Sequence, residues 1–259
     1  MPDRSSPLAR IAAGGAAAAT AATAALAAPA AAGPAQERVL GGTDEHAAPW
    51  VVALTDQAGR QFCGGTLVTE IKVVTAAHCV DGHDAAELRA VTGRPDLRTT
   101  GGADTPVGDV WVHPEFRDVT GGHDVAVLTL AAPVRERPLP MAGADETARY
   151  RPGTPARVHG WGRTTENGPT SATLQSVEVP ISADADCRAA YPGYESGTRV
   201  CAGPPEGGRD ACAGDSGGPL VADGRLIGVV SYGTGCGRPG TPGVYTRISG
   251  VADDVAARL

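Results

Sequence analysis

The chain has 259 residues, 42% of them hydrophobic, which is long enough for one large β unit or two small domains. Its formal net charge is −7 at pH 7. A protein with this net negative charge lacks the basic surface that phosphate binding needs, so nucleic acid is excluded as the expected partner. The negative charge mildly favours cationic substrates.

The N-terminal 38 residues have the composition of an export and processing segment. Arg4 and Arg10 precede an alanine-rich, uncharged run over 11–32 that contains several A-x-A-like cleavage sites. A transmembrane anchor fits less well, because the run lacks the roughly 20 strongly apolar residues of a span. We therefore predict a signal peptide over residues 1–32, a secreted extracellular protein, and no membrane association after signal removal.

Six cysteines follow this segment. Their even number downstream of an export signal predicts disulfides, with 15 connectivities open to the sequence alone. No C-x-x-C pair is present, which argues against structural zinc, and the loop from Asp81 to Leu97 lacks the acid and carbonyl spacing of a calcium site. We predict no metal and no cofactor. The cysteines are Cys63, Cys79, Cys187, Cys201, Cys212 and Cys236.

From residue 39 onward, short β-branched runs alternate with clusters of Gly, Pro and Asp. This spacing predicts an all-β barrel or sandwich. Only the tail from Gly250 to Leu259 has a helical spacing of apolar residues. The β-type runs cover 51–54, 65–69, 72–77, 125–130, 156–161, 174–181, 226–232 and 243–248.

One serine stands among glycines in the segment DACAGDSGGPL, over 210–220. Glycine allows the backbone to turn sharply, so Ser216 has the setting of a presented nucleophile. The stretch GDSGG also fits the G-x-S-x-G elbow of α/β-hydrolases, in which the histidine follows the serine. Here the last histidine is His159, and helices do not alternate with the strands, so that fold is excluded.

A nucleophilic serine needs a base that a third group orients. His78 ends an apolar run beside Cys79, and Asp124 opens another; taken alone, each has an ordinary alternative as a surface histidine or a turn-capping aspartate. The motifs TAAHC, DVAVLTL and GDSGGPL place the three residues 46 and 92 positions apart. Together they resemble the chymotrypsin-like, or trypsin-family, serine proteases over residues 39–259, most nearly the secreted trypsins of actinobacteria.

The resemblance implies two six-stranded antiparallel Greek-key β-barrels packed together with a C-terminal α-helix, all in one protease domain over 39–259. It also implies a triad in which Ser216 attacks the scissile carbonyl, His78 takes and returns the proton, and Asp124 fixes the imidazole tautomer. The backbone N–H groups of Gly214 and Ser216 would form the oxyanion hole.

The resemblance also implies the substrate preference. Asp210 occupies the position that floors the primary pocket in this family, so substrates with Arg or Lys before the scissile bond are expected. Gly233 and Gly243 match wall positions and leave the slot open. Ala211 stands where many trypsins have a serine, whose hydroxyl serves an ammonium more than a guanidinium, which predicts that Arg is preferred to Lys.

Further positions carry implications of the same kind. Ser231 is expected among the substrate-binding residues, and it matches the serine that hydrogen-bonds the catalytic aspartate in this family. Gly121 replaces a bulky residue and predicts a wide neighbouring subsite. Trp161 matches a landmark with a packing role, whereas His123 and the remaining histidines outside the triad are expected at the surface.

The segment ERVLGG over 37–42 resembles the family's activation junction, where I-V-G-G usually follows the arginine. Residues 33–38 then form a short activation propeptide. Cleavage after Arg38 frees the Val39 amine, which by the resemblance pairs with Asp215 and orders the oxyanion hole and pocket. Arg38 suits the expected specificity, which favours autoactivation. The resemblance also pairs Cys63 with Cys79, Cys187 with Cys201, and Cys212 with Cys236.

The sequence therefore predicts a secreted, trypsin-like serine endopeptidase made as a zymogen, acting on proteins and peptides through an acyl-enzyme. We expect a monomer, and a protein protease inhibitor is a further candidate partner. Two other classes stay open. One is a catalytically silent family member that binds a partner through the same scaffold; the other is a secreted esterase, which would be indifferent to a basic residue beside the bond.

Overall fold

The computed structural model describes residues 39–259, so the predicted signal peptide and propeptide lie outside the described residues. Within that range the chain is mostly β. Two α-helices, α1 (Asp184–Ala190) and α2 (Ile248–Ala256), accompany short 3-10 helices at Ala77–Cys79, Ala85–Glu87 and Thr147–Tyr150. The strands are β1 (Thr43–Asp44), β2 (Val51–Thr55), β3 (Gln61–Thr69), β4 (Lys72–Thr75), β5 (Arg89–Thr92), β6 (Ala103–Val112), β7 (Ala126–Leu130), β8 (Pro155–Gly160), β9 (Gln175–Pro180), β10 (Arg199–Ala202), β11 (Pro219–Ala222), β12 (Arg225–Tyr232) and β13 (Gly243–Arg247).

The first six long strands of the chain close into an antiparallel barrel in the order β2-β3-β4-β7-β6-β5. Its interior is apolar: Leu54, Leu67, Val73 and Leu128 are completely buried. Closure pairs every strand on both edges, so this barrel exposes no unpaired strand edge. The first of the two predicted six-stranded barrels is therefore confirmed.

The second sheet differs in detail from the predicted barrel. It has seven strands in the order β1-β9-β8-β11-β12-β13-β10, because the two-residue β1 adds to β9 through Thr43 and Ser176. The sheet is curved, so that the residue after β9 and the last residue of β10 form a short antiparallel bridge, Ile181 with Ala202. There the Gly203 N–H donates to the Pro180 carbonyl at 2.9 Å and the Ser182 N–H donates to the Cys201 carbonyl at 2.9 Å.

The C-terminal helix packs one apolar face on the protein. Ile248, Val251 and Val255 are buried at helical spacing, which explains why the tail folds as α2. The helix begins two residues before the predicted start at Gly250 and ends at Ala256. Among residues 39–259, no helix is both long enough and apolar enough to cross a membrane.

The three disulfides pair the cysteines as the resemblance implies, and no described cysteine is free. They join Cys63 of β3 to Cys79, Cys187 of α1 to Cys201 of β10, and Cys212 to Cys236.

Trp161 is buried, and its indole N–H donates to the Pro95 carbonyl at 3.1 Å, as a packing residue would. The expectation that the histidines outside the triad lie at the surface is wrong for His113 and His159, which are each only 3% exposed. The ring of His123 stacks on His113 with centroids 4.6 Å apart, so His123 is also largely covered. The rings of these three histidines pack against other aromatic rings.

Candidate active site

Asp124 and His78 are joined by two hydrogen bonds at the ends of two strands of the first barrel. Asp124 precedes β7, and His78 lies in the 3-10 helix that follows β4. The His78 backbone N–H donates to Asp124 Oδ1 at 2.9 Å, and the His78 Nδ1 lies 2.8 Å from Oδ2. Asp124 is 1% exposed, whereas the His78 side chain is 24% exposed. The imidazole therefore has its Nδ1 occupied by the carboxylate, whereas its Nε2 has no polar partner among the described residues nearer than the Cys79 sulfur at 3.8 Å.

The second sheet completes the surroundings of Asp124. Ser231, on β12, donates its hydroxyl to Asp124 Oδ2 at 2.6 Å, and Thr246, on β13, donates its hydroxyl to the Asp124 carbonyl at 2.7 Å. A buried carboxylate needs such donors, because burial without hydrogen bonds is costly. The acid is thus held by both halves of the protein.

Ser216 lies in a loop that crosses between the two sheets. Its carbonyl accepts the Gly64 N–H of β3 at 2.7 Å, which ties the loop to the first barrel. Gly217 has φ +78° and packs against Thr75 and Gly64, where a Cβ would collide. Only glycine suits that position. Within residues 39–259, the Ser216 hydroxyl makes no hydrogen bond, so the structure brings His78 and Asp124 into contact but forms no Ser216–His78 bond.

Two backbone N–H groups beside this serine are left without acceptors. Gly214 has φ +102°, a conformation that L side chains rarely adopt. The Asp215 N–H donates to the Cys212 carbonyl at 2.9 Å, whereas the N–H groups of Gly214 and Ser216 donate to nothing in the described part of the chain. Donors arranged in this way suit a developing oxyanion.

A cavity of about 370 Å³ opens next to the serine loop. Asp210 lies at its wall, 3% exposed, and accepts the Gly237 N–H on Oδ2 at 2.9 Å. Its Oδ1 is buried without a hydrogen-bond partner among the described residues. Burial raises the pKa of Asp210 to about 7, and nearby Asp215 adds to the rise. The residues around the cavity include Asp210, Ala211, Ser216, Gly233, Gly243 and Tyr245.

The absence of side chains on two cavity walls keeps Asp210 accessible to a long ligand. A Cβ on Gly243 would lie 2.5 Å from Asp210 Oδ1 and 3.2 Å from the Tyr245 hydroxyl. Gly233 is exposed and borders the same space. The cavity wall is therefore negatively charged when Asp210 ionises.

Asp215, adjacent to the serine, is a second buried acid. Its carboxylate accepts the Gly162 N–H at 2.7 Å and the Cys212 N–H at 2.9 Å, and burial raises its pKa to about 6. No cationic side chain within 39–259 pairs with it. Val39 is also fully buried, and the neighbouring Leu40 carbonyl accepts the Asp210 N–H at 3.3 Å.

The one cluster of metal-type ligands among the described residues is Cys63, His78 and Cys79. Both sulfurs are joined in a disulfide, so neither is the thiolate that zinc would require.

Comparisons with known proteins agree with this geometry. A family model described as trypsin matches residues 41–255. A protein named "Trypsin" from Saccharopolyspora erythraea is 49% identical over 217 residues, which cover 83% of this chain and 95% of that protein. "Serine protease 1" from Rattus norvegicus is 36% identical over 230 residues, covering 85% of this chain and 91% of that protein.

The chain belongs to the trypsin family of serine endopeptidases. The relative from Saccharopolyspora, an actinobacterium, also confirms the likeness to actinobacterial trypsins. A further relative named "Trypsin", from Squalus acanthias, is 36% identical over 217 residues, covering 82% of this chain and 92% of that protein. Three disulfides in the structure accord with this membership.

This trypsin-family site contains two residues that the sequence did not reveal. The Gln61 amide nitrogen donates to the Gly214 carbonyl at 2.9 Å and to the Cys63 carbonyl at 3.0 Å, so β3 supports the glycine loop directly. Arg199, at the start of β10, is only 4% exposed and donates to the Tyr232 hydroxyl at 3.3 Å. No local pattern marks either residue, because Gly214 and Tyr232, the partners that connect them to the site, are distant in sequence.

Proposed function

We propose that the mature protein is a trypsin-like endopeptidase that cleaves peptide bonds after Arg, and more slowly after Lys. The observation that carries the proposal is the buried Asp210 carboxylate, whose Oδ1 has no partner among the described residues, at the wall of a cavity beside Ser216. A buried acceptor of this kind is stabilised by a cationic ligand. A guanidinium can bind both carboxylate oxygens in the fork geometry, which an ammonium cannot.

In the proposed reaction, Ser216 attacks the scissile carbonyl while His78 Nε2 takes the hydroxyl proton. Support comes from the His78 Nδ1 contact with Asp124, since this contact fixes the ring so that Nε2 is the nitrogen left for proton transfer. The serine and histidine need not be bonded in the free protein, because such contacts commonly tighten only when substrate binds.

The tetrahedral intermediate places a negative oxygen at the serine loop. The unpaired N–H groups of Gly214 and Ser216 are the proposed donors to this oxygen. His78 then returns its proton to the leaving amine, which departs and leaves an acyl-enzyme on Ser216. A water molecule, deprotonated by His78, attacks the ester and releases the acid and the free serine.

We propose that the protein is exported and made as a zymogen that is cut after Arg38. The fully buried Asp215 and the fully buried Val39 support this activation route. A buried carboxylate with no cationic side-chain partner in the described chain is a suitable acceptor for a new α-amino group. A Val39 N-terminus would supply that group. Monomeric state and recognition by a protein inhibitor are further parts of the proposal.

Active-site titration tests the proposal directly. An aryl ester with a guanidinium group should acylate the protein with a stoichiometric burst, and mass spectrometry should place the adduct on Ser216. The S216A variant and a neutral aryl ester of the same shape are the controls. Equal reaction with the neutral ester would favour a general esterase, and no adduct on protein processed at Arg38 would favour a silent binding scaffold.

A further inference from the structure

Arg199 is a charged residue in a buried position. It is the first residue of β10 and only 4% of its surface is exposed. Arginine is almost never buried to this extent without a carboxylate partner, because an unpaired buried charge is costly. Within residues 39–259, however, no carboxylate lies within ion-pair distance of its guanidinium, and its Nε is buried with no hydrogen-bond partner.

The edge of the Arg199 guanidinium formed by Nε and Nη2 has no hydrogen-bond partner among the described residues. Nη1 donates to the Tyr232 hydroxyl at 3.3 Å, whereas Nε and Nη2 donate to no described residue. These two nitrogens form one of the parallel donor pairs with which arginine binds a carboxylate. The neighbouring Thr198 hydroxyl is also buried without a partner in the described chain.

This edge faces the loop that leads into the catalytic aspartate. A Cβ placed on Gly122 would lie 3.6 Å from both Nε and Nη2 of Arg199, and 2.9 Å from the Thr198 hydroxyl oxygen. Gly122 comes two residues before Asp124. On the other side, Tyr232 borders the specificity cavity. The unpaired donors therefore lie between the catalytic loop and the cavity.

Asp118 is an acid that interacts electrostatically with this charge. Its pKa is lowered, chiefly by the hydrogen bond from the Thr120 hydroxyl, and to a smaller extent by the charge of Arg199. Asp118 Oδ1 already accepts the Thr120 hydroxyl at 2.6 Å and the Gly121 N–H at 2.9 Å. Asp118 is exposed, so it compensates Arg199 only through solvent.

We propose that Arg199 and Thr198 form a subsite for a carboxylate side chain of the substrate, on the residues that precede the cleaved bond. This inference rests on the proposed cleavage after arginine. A substrate whose arginine occupies the cavity passes the exposed Gly233, whose N–H and carbonyl make no hydrogen bond within the described residues, and then Tyr232. An extended chain that continues past Tyr232 runs toward Arg199, because Arg199 Nη1 lies 3.3 Å from the Tyr232 hydroxyl.

The test uses matched peptide amides that all have Arg before the scissile bond and differ by a single Glu or Gln at one of the preceding positions. Wild-type protein should cleave the Glu peptide with roughly tenfold higher kcat/KM than the Gln peptide at the best position. This preference should shrink as salt increases. In R199M the two peptides should be cleaved equally, and R199K should keep an intermediate preference.

Further variants separate a local effect from general damage. The ratio of Glu to Gln cleavage is measured within each variant, so a loss of overall activity does not obscure it. D118N should increase the ratio, because it removes the competing carboxylate, whereas R151M, at an exposed arginine, should leave it unchanged. If R199M does not fold, the D118N and salt results still decide the question.

Two outcomes overturn different claims. A Glu-to-Gln ratio near one in wild type, or an equal ratio in wild type and R199M, overturns the carboxylate subsite while arginine cleavage stands. Failure of wild type to cleave any of the arginine peptides contradicts the proposed function itself.

Discussion

The Ser231 hydroxyl donates to Oδ2 of Asp124 at 2.6 Å, the same oxygen that lies 2.8 Å from Nδ1 of His78. Ser231 belongs to the second sheet and Asp124 to the first barrel, so this bond joins the two halves at the acid that orients the histidine. Neither half alone holds Asp124 in place. The catalytic geometry is thus a property of the packed pair.

Removing this bond should weaken catalysis more than substrate binding. We expect S231A to lower kcat roughly 10- to 100-fold with little change in KM, since hydrogen bonds to charged groups contribute strongly. D124N, which favours the wrong tautomer of His78, should lower kcat about 10⁴-fold. Steady-state kinetics on an arginine amide provides the measurement. Conservative T246S retains a hydroxyl for the Asp124 carbonyl and serves as the control; a KM effect alone for S231A would contradict the account.

Gln61 should act as a positioning residue for the oxyanion hole. In Q61A the Gly214 carbonyl loses its donor, so the Gly214 N–H is less well oriented and kcat should fall roughly tenfold at constant KM. Q61E should be worse, because an ionised carboxylate faces two carbonyl oxygens, and its deficit should grow as pH rises.

The matched control is Q57A, at an exposed glutamine that donates to the Ala86 carbonyl at 2.9 Å, away from the serine loop. Kinetics over a pH series would reveal the difference between Q61A and Q61E. Identical pH profiles for the two variants would show that Gln61 only fills space.

Binding of an amidinium ligand should depend on the ionisation of Asp210. Burial raises the pKa of this acid to about 7, so in the free protein it is largely protonated at acid pH. Because the ligand needs the carboxylate, its Kd should weaken about tenfold for each pH unit below 7 and level off above it. Calorimetry with benzamidine on S216A protein provides the measurement.

The raised pKa also sets the sign of the stability effect in the absence of ligand. The contribution of Asp210 to the free energy of unfolding is fully present below the pKa that this residue has in the unfolded chain. The contribution is lost as pH rises through about 7, the pKa of Asp210 in the folded protein. D210N should remove the pH dependence of benzamidine binding and weaken binding throughout. A benzamidine Kd that stays constant between acid and neutral pH would contradict the assignment of Asp210.

Activation should depend on Arg38 and Asp215 together. R38Q should block release of the Val39 N-terminus and leave the secreted protein inactive. D215N protein that an added protease has cut at Arg38 should remain poorly active, because the new amine lacks its buried carboxylate. N-terminal sequencing beside activity assays on both variants supplies the measurement. Full activity of R38Q protein with its N-terminal segment attached would rule out this route.

Local patterns accounted for strands with a continuous apolar run, such as β2 and β12, but not for β6. That strand contains Pro106 and Gly108, which are typical of loops, yet it pairs with β5 on one side and β7 on the other. Tertiary pairing overrides the local preference there. The four-residue β10 and β11 are too short to show a period at all.

The residues of the site also divide into those that a local sequence pattern reveals and those that only tertiary contacts reveal. His78, Asp124 and Ser216 could be selected from the sequence because three ordered motifs carry them. Gln61 could not, since its partner Gly214 is 153 residues away, nor could the unpaired edge of Arg199, which exists only where Gly122 and Tyr232 converge on it. Long-range contacts of this kind leave no local pattern.

The central claim is that Ser216 and Asp210 together make an arginine-directed endopeptidase. The most direct measurement is the hydrolysis of matched peptide amides ending in Arg, Lys, Phe or Ala by secreted protein and by its S216A variant. The account predicts rapid cleavage after Arg, slower cleavage after Lys, neither after Phe or Ala, and complete loss in S216A. Equal cleavage after Phe, or no cleavage by protein already processed at Arg38, would contradict it.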